Sequence, residues 1–195
     1  MITVNHIKEN DLWEVATIHK NVFKGHYLAQ LPTSLLVKFY HSFLTTKEKS
    51  VFLVAKDNEK MCGFVLGGDK HLLENAKNNF IKQNFISLSF YSVIYALKFI
   101  IKKIFTRTQY TPTGETLPMP PSFRLLSIGV IKEMQGSGVA SLLVETYSKH
   151  IPPHVKVYGL SVHKNNERAI GFYKKMGFQI HGSNSESFFL AKILR

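Results

Sequence analysis

The segment Ile128-Gly129-Val130-Ile131-Lys132-Glu133-Met134-Gln135-Gly136-Ser137-Gly138-Val139-Ala140 is where residue types and spacing in this 195-residue chain best suit chemistry. An apolar run enters a turn of small residues and continues as a helical pattern. At such a junction the N–H groups of the first helical turn have no partner within the helix, and they sum with its dipole to favour an anion such as a phosphate pair. Gly136, Gly138 and Ala140 keep side chains clear of that position. The glycines do not fit G-x-G-x-x-G, and no Gly-Lys-Ser/Thr follows as in a P-loop. An ordinary strand–helix connection, with glycines for a tight turn, fits the isolated pair as well.

The elements that must position this turn read from periodicity. Thr3 to Ile7 predicts a strand, and Asn10 offers an N-cap for a helix through Phe23 carrying Leu12, Val15, Ile18 and Val22. Pro32, Thr33 and Ser34 start a second helix to about Thr46, with Leu35, Leu36, Phe39, Tyr40 and Phe43 on one face. Val51–Lys56 and Met61–Gly67, joined by Asp57-Asn58-Glu59-Lys60, predict an antiparallel hairpin. Residues 69–122 read as an insertion with an amide- and lysine-rich start and a Pro-rich exit. From Arg124 the order is strand (Leu125–Ile131), helix (through His150), strand (Lys156–His163) and helix (Asn166–Lys175), the sign of a parallel pairing. Phe178–His181, a Gly182-Ser183-Asn184 turn and Ser187–Ile193 predict a closing hairpin. There is no internal repeat.

Length and a 45% hydrophobic content imply one domain over residues 1–195 with a helical insertion. The formal charge of +12 favours polyanionic ligands, anionic membrane surfaces or nucleic acid without choosing among them. No interleaved aromatic-basic motif or recognition helix supports nucleic acid. The lone cysteine, Cys62, excludes an internal disulfide and a cysteine-only zinc site, so no metal is expected and a reducing cytoplasm is the expected location. The start at Met1 shows no secretion pattern, so the mature chain is expected to begin there. Phe85–Phe105 is apolar, but Lys98, Lys102 and Lys103 argue against a membrane span. Amphipathic helical turns with Phe90, Val93, Ile94, Leu97, Ile101 and Ile104 on one face are expected instead.

Gln135-x-x-Gly138-x-Ala140 after an apolar strand resembles the Q/R-x-x-G-x-G/A element of the GNAT superfamily of N-acetyltransferases. Leu160-x-Val162-x-x-x-Asn166-x-x-Ala169-x-x-Phe172-Tyr173-x-x-x-Gly177-Phe178 resembles that superfamily's fifth strand, following helix and sixth-strand entry. The resemblance implies an α/β (α+β) fold with a mixed, mostly antiparallel sheet of six to seven strands, a central splayed parallel pair and flanking helices. It also implies acetyl-CoA as cosubstrate. Backbone amides from Gln135 through Gly136, Ser137, Gly138, Val139 and Ala140 would hold the pyrophosphate, and the strand at Ile128, Gly129 and Val130 the pantetheine arm. A strand edge has N–H and C=O groups that pantetheine amides can satisfy. Asn166, Ala169 and Phe172 would complete the coenzyme site, although Asn166 also suits a helix N-cap. Tyr173 matches the general acid that protonates the departing thiolate, while a tyrosine packing helix to sheet is the plainer alternative.

Many family members place a glutamate base on the fourth strand, but Leu125-Leu126-Ser127-Ile128-Gly129-Val130 carries no carboxylate. Glu133 lies past the strand. His163 has the intrinsic pKa for a base and also suits a capping role, and His19 and His26 on or after the first helix compare with it. A water chain is a further alternative. Phe23, His26 and Tyr27 are expected to edge the acceptor pocket. The expected acceptor is the primary amine of a small molecule, a nucleotide-linked amino sugar first, with a protein or peptide amine as the alternative. A different class of function also fits: a noncatalytic CoA-binding protein docked on an anionic membrane through Lys98, Lys102, Lys103 and Arg107. The insertion would equally serve as a homodimer face.

Overall fold

The computed structural model describes residues 1–44, 50–91, 111–112 and 121–194. In chain order these form β1 (Ile2–His6), α1 (Leu12–Val22), α2 (Tyr27–Gln30), α3 (Thr33–Leu44), β2 (Ser50–Asp57), β3 (Lys60–Asp69) and α4 (Lys70–Gln83). There follow β4 (Thr111–Pro112), β5 (Phe123–Val130), α5 (Val139–Lys149), β6 (Val157–His163), α6 (Glu167–Lys175), β7 (Gln179–Ser183) and β8 (Ser187–Ile193). The chain divides into two compact units, Met1–Phe80 with Phe123–Val155, and Ile81–Ser122 with Lys156–Arg195.

In the first unit β1, β2, β3 and β5 pair antiparallel in that order. The expected hairpin closes at Asn58 and Glu59, both left-handed with φ of 45° and 68°, the twist a two-residue hairpin needs. Leu12, Val15, Ala16 and Ile18 of α1 recur at helical spacing and are buried, as are Leu35, Leu36, Phe39, Tyr40 and Phe43 of α3. Tyr40 meets Phe52 and Phe64 edge-on or tilted, at 5.7 and 5.5 Å between ring centres. Each buried Leu, Ile, Val or Phe among these contributes about 1.5–3 kcal/mol. The β3–β5 register shifts between Leu66 and Gly67: Leu66 faces Ser127 but Gly67 faces Leu125, so Leu126 is an extra residue. A bulge of this kind bends one strand and is common beside active sites.

In the second unit β6 and β8, β8 and β7, and β7 and β4 pair antiparallel. The core here is Tyr158, Leu160, Tyr173, Phe178 and Leu190. Asn166 caps α6 by accepting the Ala169 N–H at 3.1 Å, and Gly177 at φ +86° allows the chain to leave it.

Several boundaries differ from expectation. α1 starts at Leu12 after a 3₁₀ turn over Glu9–Asp11, and Asp11 rather than Asn10 organises its start. The Asp11 carboxylate accepts the Lys8 N–H at 2.8 Å and the Lys56 ammonium at 2.7 Å, which Asn10 has no charge to match. Gly182 and Ser183 lie within β7, and the closing turn starts at Asn184, whose side-chain oxygen accepts the Glu186 and Ser187 N–H groups. α2 had no sequence reading, and α4 forms the amide- and lysine-rich start of the segment read as an insertion. Asp69 begins α4 by accepting the N–H groups of His71 and Leu72. Of the expected apolar face, Phe90 falls in helical residues 85–91 and is 66% exposed, while Val93, Ile94, Leu97, Ile101 and Ile104 lie outside the described residues. Among the described residues no helix is long and apolar enough to cross a membrane.

A Cβ on Gly67 would collide with the Tyr147 hydroxyl and the Arg124 carbonyl, which themselves hydrogen bond at 3.0 Å. Gly67→Ala is therefore expected to lower unfolding free energy by roughly 3 kcal/mol, read by urea denaturation, with Tyr147→Phe in the same chain restoring part of it.

Candidate active site

The turn between β5 and α5 is built by two left-handed glycines. Gly136 and Gly138 have φ of +89° and +91°, and a Cβ at either would meet nothing within 4 Å. The space is open, so conformation rather than crowding calls for glycine at both. Gly138 is the N-cap residue of α5, and its lack of a side chain means no side-chain group caps the helix. Gln135, Gly136, Ser137 and Gly138 are exposed, whereas Val139 is 1% exposed and packs its side chain inward, leaving only its N–H for a ligand. The Gln135 side chain turns back to donate to the Val130 carbonyl at 3.3 Å, tying the turn to the end of the strand. Ser137 Oγ likewise donates to Met134 O.

On β5, Gly129 is explained by packing: a Cβ there would lie 2.9 Å from Phe64 Cε1. Ile128 and Val130 pair with Val65 and Gly63 of β3. Their neighbour Ser127 shares a network with two helices of the same unit. Tyr40 of α3 is fully buried, and its hydroxyl lies 2.5 Å from His19 Nδ1 on α1. Burial pushes the Tyr40 pKa well above the usual phenol value, opposed in part by the Ser127 side chain. His19 is 6% exposed, and burial, with a smaller push from the charge of His26, lowers its pKa to about 4. Its Nε2 is the buried side-chain nitrogen or oxygen without a partner among the described residues. Phe23 covers the ring at 4.5 Å and meets His26 at 5.9 Å. Phe23 and His26 thus stand with His19, while Tyr27 is half-buried at the start of α2.

In the second unit, Tyr173 is 7% exposed between Phe172 and Phe178, and burial raises its pKa, so it keeps its proton. Ala169 and Phe172 are half-buried on the same helix. The Asn166 oxygen is taken by the N-cap bond, which leaves its NH₂ group for a ligand. His163 is exposed, and its Nδ1 accepts the Asn165 N–H at 3.3 Å, a capping arrangement.

The profile described as "Acetyltransferase (GNAT) family" matches residues 14–178, through the turn and both units. The chain belongs to the GNAT family. N-alpha-acetyltransferase 60 from Xenopus tropicalis is 39% identical over 61 residues, 29% of this chain and 25% of that one, so the chain spans about a quarter of the curated relatives it matches. The PaiA N-acetyltransferase from Thermoplasma acidophilum, solved with coenzyme A, shares the fold with a TM-score of 0.60 at 13% identity, over 100% of this chain and 99% of that one. The ribosomal-protein-S18-alanine N-acetyltransferase from Escherichia coli gives 0.58 at 14% identity, over 99% and 94%. The expected mixed α/β fold, with its mostly antiparallel sheet and flanking helices, holds.

The turn suits a diphosphate: Gly136 and Gly138 carry no side chain and have open space beside them, and no side chain caps α5. The His19–Tyr40–Ser127 network and the bulge at Leu126 had no sequence signal as a group, because three segments distant in sequence build them. A neutral, buried His19 makes acid stability pH-dependent. Its pKa falls from 6.5 to about 4 on folding, so its contribution is complete above 6.5 and is lost as pH drops toward 4. Between pH 7.5 and 4 that loss is about 3 kcal/mol. Urea unfolding across this range should show it in the wild type and not in His19→Gln.

Proposed function

We propose that this GNAT chain transfers the acetyl group of acetyl-CoA to a primary amine of a small molecule by direct attack while both are bound. The observation that carries the reading is the pair of left-handed glycines opening onto the uncapped first turn of α5. The N–H groups of Gln135 and Ser137 donate to the Lys132 and Met134 carbonyls, so those of Gly136, Gly138, Val139 and Ala140 receive the diphosphate, and the backbone of Ile128, Gly129 and Val130 receives the pantetheine amides. The Asn166 NH₂ and the side chains of Ala169 and Phe172 complete the coenzyme site by family likeness. Tyr173 donates to the sulfur as the C–S bond breaks, and its raised pKa supports this by keeping the phenol protonated until charge develops there. Bound acetyl-CoA supplies an activated thioester; holding the amine against it supplies much of the acceleration.

A nucleotide-linked amino sugar is the acceptor class this reading favours. Lys77 on α4 and Arg124 on β5 are half-buried cations whose pKa values burial lowers, and each feels Glu74 as the opposing charge. Such cations are poorly solvated and favour a phosphate-bearing partner. Phe23 and Tyr27 provide surfaces for a base or sugar ring. A peptide amine is the second acceptor class, supported by the likeness to N-alpha-acetyltransferase 60. Contact with an anionic membrane is supported by Phe85, Ile86 and Phe90, exposed by 66, 85 and 66%, and by the basic residues Lys98, Lys102, Lys103 and Arg107 that follow them in the sequence.

Thiol release from acetyl-CoA should proceed with a UDP-linked amino sugar and not with a short peptide. Tyr173→Phe should lower kcat about a hundredfold or more with acetyl-CoA affinity kept, and Lys77→Gln should raise the amino-sugar KM. Turnover of the peptide alone would reverse the acceptor assignment, and an unchanged kcat in Tyr173→Phe would remove that residue from the mechanism.

A further inference from the structure

Register fixes which backbone groups of β5 are offered to a ligand. Gly63 faces Val130 and Val65 faces Ile128, and the Ile131 N–H donates to the Cys62 carbonyl at 2.9 Å. In an antiparallel ladder that bond flanks a non-hydrogen-bonded pair, here Gly63 with Val130, so the N–H and C=O of Val130 turn away from β3. Two residues back, the alternation gives Ile128 the same direction. The edge that a pantetheine arm needs is thus set by the pairing with β3, and the Val130 carbonyl is the point on it nearest the diphosphate turn.

That carbonyl is occupied. Gln135 Nε2 donates to it at 3.3 Å. The side chain reaches back because a 3₁₀ turn over Lys132–Met134 reverses the chain after β5, and Gln135 follows the turn directly. The Gln135 N–H is engaged within the same turn, on the Lys132 carbonyl at 3.2 Å, so this residue meets the strand edge through its carboxamide rather than its backbone. At 3.3 Å the bond lies past the usual N–H···O range of about 2.7–3.2 Å, which makes it easy to exchange. Gln135 itself is exposed, so its carboxamide can pass to water, whereas Val130 is 9% exposed and has less access to water as a substitute. An arm lying along β5 must bring its amide N–H to the carbonyl that Gln135 holds.

We propose that Gln135 is a latch on the pantetheine edge. Its carboxamide holds the Val130 carbonyl while the site is empty, yields it to an amide N–H of the arm as the coenzyme binds, and takes it back on release. The inference rests on the coenzyme reading above. Because one donor replaces another, the carbonyl is paired at both ends of the cycle. Without the latch, the carbonyl would gain its partner only from the arm and would hold the coenzyme more tightly; the latch offsets that gain and hastens the departure of coenzyme A after transfer. Gln135 acts through Val130 and is a positioning residue.

Two ligands separate a latch from a plain tie between turn and strand: coenzyme A, and 3′-phospho-ADP, which carries the diphosphate without the arm. In ¹H–¹⁵N spectra the Gln135 side-chain NH₂ signals should shift far with coenzyme A and little with 3′-phospho-ADP. Gln135→Met keeps the length of the side chain and loses the donor. By calorimetry and stopped flow it should bind coenzyme A roughly two- to tenfold more tightly, through slower dissociation, and bind 3′-phospho-ADP as the wild type does. Gln135→Arg, which keeps a donor, should restore the wild-type ratio of the two affinities. Side-chain signals that coenzyme A leaves in place, or coenzyme A affinity in Gln135→Met equal to or below that of the wild type, overturns the latch alone. A wild type that binds neither ligand overturns the coenzyme reading and the latch with it.

Discussion

A helix that begins without a cap leaves several N–H groups pointing out of its first turn, and in water or at a protein surface those groups must find an acceptor. In this chain the two left-handed glycines before α5 create that condition and keep it open to a ligand. Most helices answer the same need with a serine, threonine or aspartate; α6, capped by Asn166, is an example within the chain. The contrast matters because the same chain shows both solutions. The remaining features are arranged about the uncapped turn: Gln135 fixes it to the end of β5, Val139 seats α5 in the core, and β3 holds β5 from one side.

The polar groups between α1, α3 and β5 depend on a different balance. His19, Tyr40 and Ser127 are polar groups in an aromatic core, where an unsatisfied hydrogen-bonding atom costs on the order of 1–3 kcal/mol. Tyr40 resolves its own need through its neighbours, while Nε2 of His19 does not. Burial holds both groups neutral. The cations Lys77 and Arg124 lie on the same unit, and burial lowers the pKa of each.

How much of this is legible in the sequence follows from where the information resides. The turn is local: glycines, strand and helix occur within a dozen or so residues, and Gln135, Gly138 and Ala140 can be read in order. Helices α1 and α3 are also readable, because their buried residues repeat at helical spacing. α4 is not, since only Leu73, Ala76 and Phe80 are buried and amides and lysines fill its other faces. α2 is a single turn, too short to show a period. At the start of α1, Asn10 and Asp11 are both good cap residues, and the choice is made by Lys56 on a strand far along the chain. The histidine network is illegible for the same reason: His19 looks like any helical histidine until α3 and β5 are folded against it. Gly129 is the reverse case, a glycine that family likeness assigns to the coenzyme and whose small size Phe64 already requires.

The proposed hold of backbone amides at the start of α5 on the coenzyme is open to a direct test by amide chemical shifts. In ¹H–¹⁵N spectra recorded during titration with coenzyme A, the largest changes should fall on Gly136, Ser137, Gly138, Val139 and Ala140, and pantetheine, which lacks the diphosphate, should leave these signals nearly unmoved. Equal responses to the two compounds, or changes centred elsewhere while the turn stays silent, would contradict it.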